Sequence, residues 1–153
     1  MSTDNLRLEV RKRWDTDSFI ETGVSLPDIH YSEPWIPYET YMKAQLITAV
    51  PGQQGLLLVD FPPQAAEDND LHIHPLSDRV ITIIAGSGTF LAIRKGKLER
   101  FDIYQGYRVW MPRGIIHTFL AGEEGLLVES IHNPFIPFDD PTCLVYSTYH
   151  KNQ

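Results

Sequence analysis

The chain is poor in cysteine: Cys143 is the only one among 153 residues, so no intrachain disulfide can form and nothing implies an oxidising compartment. Set in an apolar tail with no charged group beside it in sequence, Cys143 reads as a small buried side chain rather than a nucleophile. Long apolar runs are also missing. No stretch approaches the roughly 20 apolar residues that cross a bilayer as a helix, and the first residues carry no apolar signal core, so no membrane partner and a cytoplasmic location are expected. Positive charge is in deficit, with 13 Lys and Arg against 20 Asp and Glu and a net charge of −7. That balance leaves no general basic surface for phosphate backbones, and nucleic acid is not an expected partner. The one basic cluster, Arg7 to Arg13, alternates with Leu8 and Val10 and reads as the solvated face of an early strand.

What is present describes one globular domain. A hydrophobic content of 42% with 22% charged residues is ordinary for a folded protein. A chain of this size buries about 70% of its unfolded surface in one core. Short apolar runs closed by Gly or Pro predict strands at Ala44–Val50, Leu56–Phe61, Leu71–His74, Arg79–Ala85, Thr89–Arg94, Lys97–Ile103, Tyr107–Met111, His117–Leu120 and Leu126–His132. Such a series is all-β and closes its edges as an antiparallel β-barrel or jelly roll. Residues 1–43, with Pro27, Pro34 and Pro37 among Tyr31, Trp35, Tyr38 and Tyr41, read as an extended N-terminal arm laying aromatics on the barrel. Residues 44–135 form the barrel core, and 136–153 a proline-rich crossing into a last strand, Leu144–Tyr149. The run Val80–Ala85 is apolar on both faces. Its outer side needs a cover, from the arm or from a second subunit, and a homodimer is expected.

The chemistry lies in histidine. On a strand, His72 and His74 share one face while Ile73 points away, so two imidazoles can converge on one ion. Downstream, Gly106, Pro112, Gly114 and His117 form the pattern G-x5-P-x-G-x2-H, far more specific than H-x-H alone. Gly114 permits a sharp turn that lets His117 enter from another side. Three neutral imidazoles with open positions suit one divalent ion, Fe, Ni, Zn or Cu.

Taken with Gly86, the two patterns resemble the paired motifs of the cupin superfamily over about residues 45 to 135. The resemblance implies an antiparallel barrel, the double-stranded β-helix, with His72, His74 and His117 holding one metal in its mouth. The chain departs from the family pattern at three places: Ala66 stands for an opening Gly, Ala121 for a closing Asn, and Arg79 where a ligand Glu is usual. Alternation aims Arg79 into the cavity, where its planar fork could grip a substrate carboxylate. A one-residue shift would instead put Asp78 inside as a ligand and Arg79 outside, and both readings stay open. Among weaker candidates, Glu129 reads as outward and solvated before it reads as an inward base. Trp110, Phe119 and Tyr107 could line a pocket or belong to core or rim. His30, His132 and His150 lack ligand spacing and default to surface or satisfied-core roles. The resemblance thus implies a metal-binding protein of small-molecule partners, with a non-haem dioxygenase acting on a small organic acid as the leading reading. The alternatives are a binding or sensing barrel without turnover and a metal-independent sugar isomerase or epimerase.

Overall fold

The computed structural model describes residues 3–28, 31–39, 42–63 and 71–148. Among them, one helix, α1 (Thr3–Asp15), precedes ten strands: β1 (Ile20–Glu21), β2 (Ile36–Tyr38), β3 (Met42–Thr48), β4 (Gly55–Phe61), β5 (His72–Ile73), β6 (Asp78–Arg94), β7 (Lys97–Tyr104), β8 (Arg108–Met111), β9 (His117–Asn133) and β10 (Val145–Tyr146). The strands join in the order β1-β8-β6-β9-β4-β3-β2, with β7 on β6 and with β5 between β9 and β10. The all-β, antiparallel jelly-roll expectation holds.

The breaks expected between Ala85 and Thr89 and between Leu120 and Leu126 are instead bends inside long strands. β6 and β9 pair from Asp78 opposite Asn133 to Ala92 opposite His117, with register shifts between Ile83 and Ala85 and between Gly86 and Gly88. Glycine is required there because the backbones nearly touch. A Cβ on Gly86, whose φ is +81°, would sit 2.1 Å from the Gly125 carbonyl oxygen, and one on Gly88 would sit 2.2 Å from that of Leu120. These bulges curl both strands without ending them.

The basic cluster is corrected from strand to helix. Leu6, Val10 and Trp14 recur every fourth residue and are buried, whereas Leu8 is 69% exposed. The governing period is therefore that of a helix, and the Leu8–Val10 alternation is incidental. Asp4 in the first turn and Lys12 and Arg13 in the last complement the helix dipole. The helix packs on β6, β8 and β9. Arg94 ties it down by donating to the Trp14 carbonyl at 3.1 Å and pairing with Asp17, its guanidinium lying 4.2 Å from the Phe19 ring centre. The arm is extended only after this helix. A cover for the apolar β6 face thus comes from the chain's own N-terminus.

At the other end, Phe135 and Cys143 are buried, as expected of the thiol, and burial raises its pKa. The last strand is shorter than expected. β10 places Tyr146 opposite His72, so the C-terminal crossing lies against the histidine strand.

Candidate metal centre

His72 on β5 pairs in register with His117 at the start of β9. His74 follows β5, and its carbonyl accepts from the Gly114 amide at 3.0 Å, joining the first histidine segment to the turn of the second. Ring centres stand 4.5 Å apart for His72 and His117, 5.0 Å for His72 and His74, and 5.1 Å for His74 and His117. All three side chains are buried, and one nitrogen from each lies within 4.8 Å of the others. The three histidines could hold a metal ion.

The outer nitrogens set the tautomers. His74 Nδ1 lies 2.9 Å from the Cys143 carbonyl and His117 Nδ1 lies 2.8 Å from that of Ile115. A carbonyl can only accept, so each Nδ1 carries the proton and each Nε2 presents a lone pair. Burial, followed for His74 by the positive charge of Arg79 and for His117 by His72, holds both well below the usual imidazole pKa. The inward nitrogens are neutral bases, the form a metal binds.

The open choice between Asp78 and Arg79 resolves in the geometry. Asp78 takes the Arg113 amide at 2.9 Å and its guanidinium at 3.3 and 3.0 Å, away from the histidines. Arg79, 2% exposed, lines the cavity with His72, His74 and His117. It donates through Nε to Ser77 Oγ at 3.2 Å, and through Nη1 to Tyr38 Oη at 3.1 Å and His132 Nε2 at 3.0 Å, while Nη2 has no hydrogen-bond partner among the described residues.

Val59, Phe61, Ile81, Met111, Phe119 and Val128 complete an apolar wall around a free volume of about 30 Å³. That is room for an ion or a water-sized group, far below the roughly 300–1,000 Å³ of an ordinary ligand pocket. Of the aromatic candidates, Phe119 lines it. Trp110 instead donates to Glu21 at 3.1 Å beneath Arg13, and Tyr107 packs on Tyr104, 5.5 Å between ring centres. Glu129 lies off the cavity near Arg108, partly buried, and burial raises its pKa. His30 and His150 lie outside the described residues.

His132, read as a surface or satisfied-core residue, is buried behind the cavity against Arg79, and burial first, then that cation, lower its pKa well below the usual value. Sequence reading missed two cavity groups. Tyr38 and Glu39 come from the arm and had no local signal. Tyr38 is pinned by Arg79 and by Phe138, whose ring centre is 4.4 Å away. The Glu39 carboxylate stands 3.7 Å from His72 Nε2 and 3.9 Å from His74 Nε2.

No helix among the described residues is long and apolar enough to cross a membrane. Neither a family model nor a curated protein matches the sequence. Solved structures do. KdgF from Halomonas sp. superposes with a TM-score of 0.56 at 19% identity, covering 68% of this chain and 88% of its own. The formate complex of Lactobacillus farciminis oxalate decarboxylase gives 0.57 at 16%, covering 74% of this chain and 33% of its own. Fe(II)-HppE with an alternative substrate gives 0.56 at 13%, covering 71% and 58%. The chain therefore spans about a third of the decarboxylase and rather more than half of HppE. With its strand order, its paired long strands and these neighbours, the chain has the cupin fold.

Proposed function

We propose that this protein is a metal-dependent cupin enzyme of the non-haem dioxygenase type, acting on a small organic acid. His72, His74 and His117 hold one divalent ion, Fe, Ni, Zn or Cu, and Arg79 binds the acid's carboxylate. The observation that carries the reading is the convergence of three buried imidazoles, two with their Nδ1 protons committed to carbonyls, next to a buried guanidinium with an unspent donor. The donor set fits the ion: two ligands at 2.0–2.1 Å from one centre stand about 3 to 4 Å apart, and the three nitrogens here all lie within 4.8 Å of one another. Once bound, such an ion supplies Lewis acidity toward a substrate oxygen and, if redox-active, reactivity toward O₂.

The chain's own residues do the rest. Tyr38 and His132 hold the Arg79 fork still, so Nη2 presents a fixed charged donor that orients an incoming carboxylate at little entropic cost. Phe61, Phe119 and Val128 keep the reacting end of the ligand out of water. Among the structural neighbours, one is a decarboxylase with formate and one carries Fe(II), which supports a small acid and a divalent ion as the chemistry of this barrel.

Elemental analysis of the purified protein, then oxygen uptake by iron-reconstituted protein with a panel of small hydroxy- and oxo-acids, tests the proposal. Stoichiometric metal and acid-dependent uptake are expected. Absence of stoichiometric metal in both purified and reconstituted samples overturns it, and an acid that stabilises the protein but returns unchanged favours a binding barrel instead. A homodimer belongs to the same proposal, with Leu76, Val145 and Tyr146 exposed on and near the β5–β10 pair. Sedimentation at two concentrations decides it.

A further inference from the structure

The Glu39 side chain is 7% exposed, yet what faces its carboxylate is a pair of imidazole nitrogens at 3.7 and 3.9 Å. Those distances exceed a hydrogen bond, which ends near 3.2 Å. His74 Nε2 has no proton to give, because Nδ1 carries it toward Cys143. Carboxylate lone pairs thus approach an imidazole lone pair inside a low-dielectric mouth, an arrangement that a metal cation between them makes favourable. An oxygen and a nitrogen bound to one ion at 2.0–2.2 Å stand about 3 to 4 Å apart, which is the spacing of Glu39 from His72 and His74, while the set of ligand atoms all within 4.8 Å of one another comprises the three histidines.

The backbone explains how the arm delivers this group. Successive strand residues point to opposite faces, but both Tyr38 and Glu39 line the cavity. Glu39 has φ +52°, and this left-handed step breaks the alternation just after β2. Tyr38 anchors the step through Arg79 and Phe138. Charge follows the same logic: Arg79 places a fixed cation where a divalent ion would be repelled, and the Glu39 carboxylate beside His72 and His74 offsets it.

We infer that Glu39 is a fourth protein ligand of the ion, supplied from the N-terminal arm, so that the site is three histidines and one carboxylate. The inference rests on the metal-binding reading above. Its test is Co(II) titration of the chelator-stripped, full-length protein and of Glu39→Gln, with affinity read by competition with a chromophoric chelator and coordination read from the visible ligand-field spectrum. The wild type is expected to take one Co(II). Glu39→Gln should bind roughly 10- to 100-fold more weakly, with an altered spectrum and an unchanged metal-free melting temperature. Equal affinity and an identical spectrum in a folded Glu39→Gln, while His117→Ala loses Co(II), would overturn the fourth ligand and leave the three-histidine site standing. No Co(II) on the wild type would instead remove the underlying reading. Glu39→Ala gives the same comparison should the amide variant not fold.

Discussion

Replacing Arg79 by methionine separates a ligand-binding guanidinium from a structural one. Met keeps much of the length and the apolar stem but removes the charge and every donor. In the folded protein this strips the hydrogen bonds to Tyr38, His132 and Ser77. A buried acceptor left unsatisfied costs about 1–3 kcal/mol, partly offset by no longer burying a cation with an unpartnered nitrogen. A modest loss of stability is expected. The ligand loses more, because a hydrogen bond to a charged group contributes about 1.5–3 kcal/mol, and at 1.4 kcal/mol per decade this means roughly 10- to 150-fold weaker binding of an acid. Metal affinity should move the other way, since a positive charge leaves the vicinity of the ion. Calorimetric titration of oxalate or acetate into metal-loaded wild type and variant, with metal competition in parallel, reads both quantities. A folded variant that binds the acid as the wild type does would show that Arg79 only ties the arm to the barrel.

Three further outcomes follow from the same structure. His117→Ala should abolish metal binding while leaving a cooperative unfolding transition, checked by elemental analysis and thermal melting; full metal occupancy would remove His117 from the site. The metal-free protein should lose stability on acidification. His74, His117 and His132 are held well below the usual value of 6.5, so below that pH the unfolded chain binds more protons than the native one. Their stabilisation is complete above about pH 6.5 and is lost as pH falls toward the depressed native values; a melting temperature flat from pH 7 to 5 would contradict the burial. Trp14→Ala should cost about 3–5 kcal/mol in urea denaturation, because the indole is buried against Phe19 at 4.7 Å between ring centres and beneath Arg94. A cost below about 1 kcal/mol would mean that α1 does not hold to the barrel.

The misreadings have specific causes. In the N-terminal helix, a two-residue coincidence at Leu8 and Val10 outweighed the four-residue repeat of Leu6, Val10 and Trp14, since a single turn looks alike in both periods. In β9, His117 and Phe119 face the cavity, and so do Val128 and Ser130, although straight alternation from His117 would bring in Glu129 instead. The bulged region opposite Gly86 and Gly88 changes the count and turns Glu129 out and His132 in. Such a change of parity depends on how two distant strands pair.

The sequence by itself determined the β architecture and the shared face of His72 and His74, because strand period, turn glycines and the i, i+2 spacing are local properties of the chain, while His117 joined them through the resemblance to the cupin motifs. Only the tertiary structure decided that Arg79 faces inward while Asp78 is bound by Arg113, that His132 stands behind Arg79, and that the arm carries Glu39 to the imidazoles. Those placements depend on strand register and on one left-handed residue after β2, and are set by packing between segments far apart in the chain.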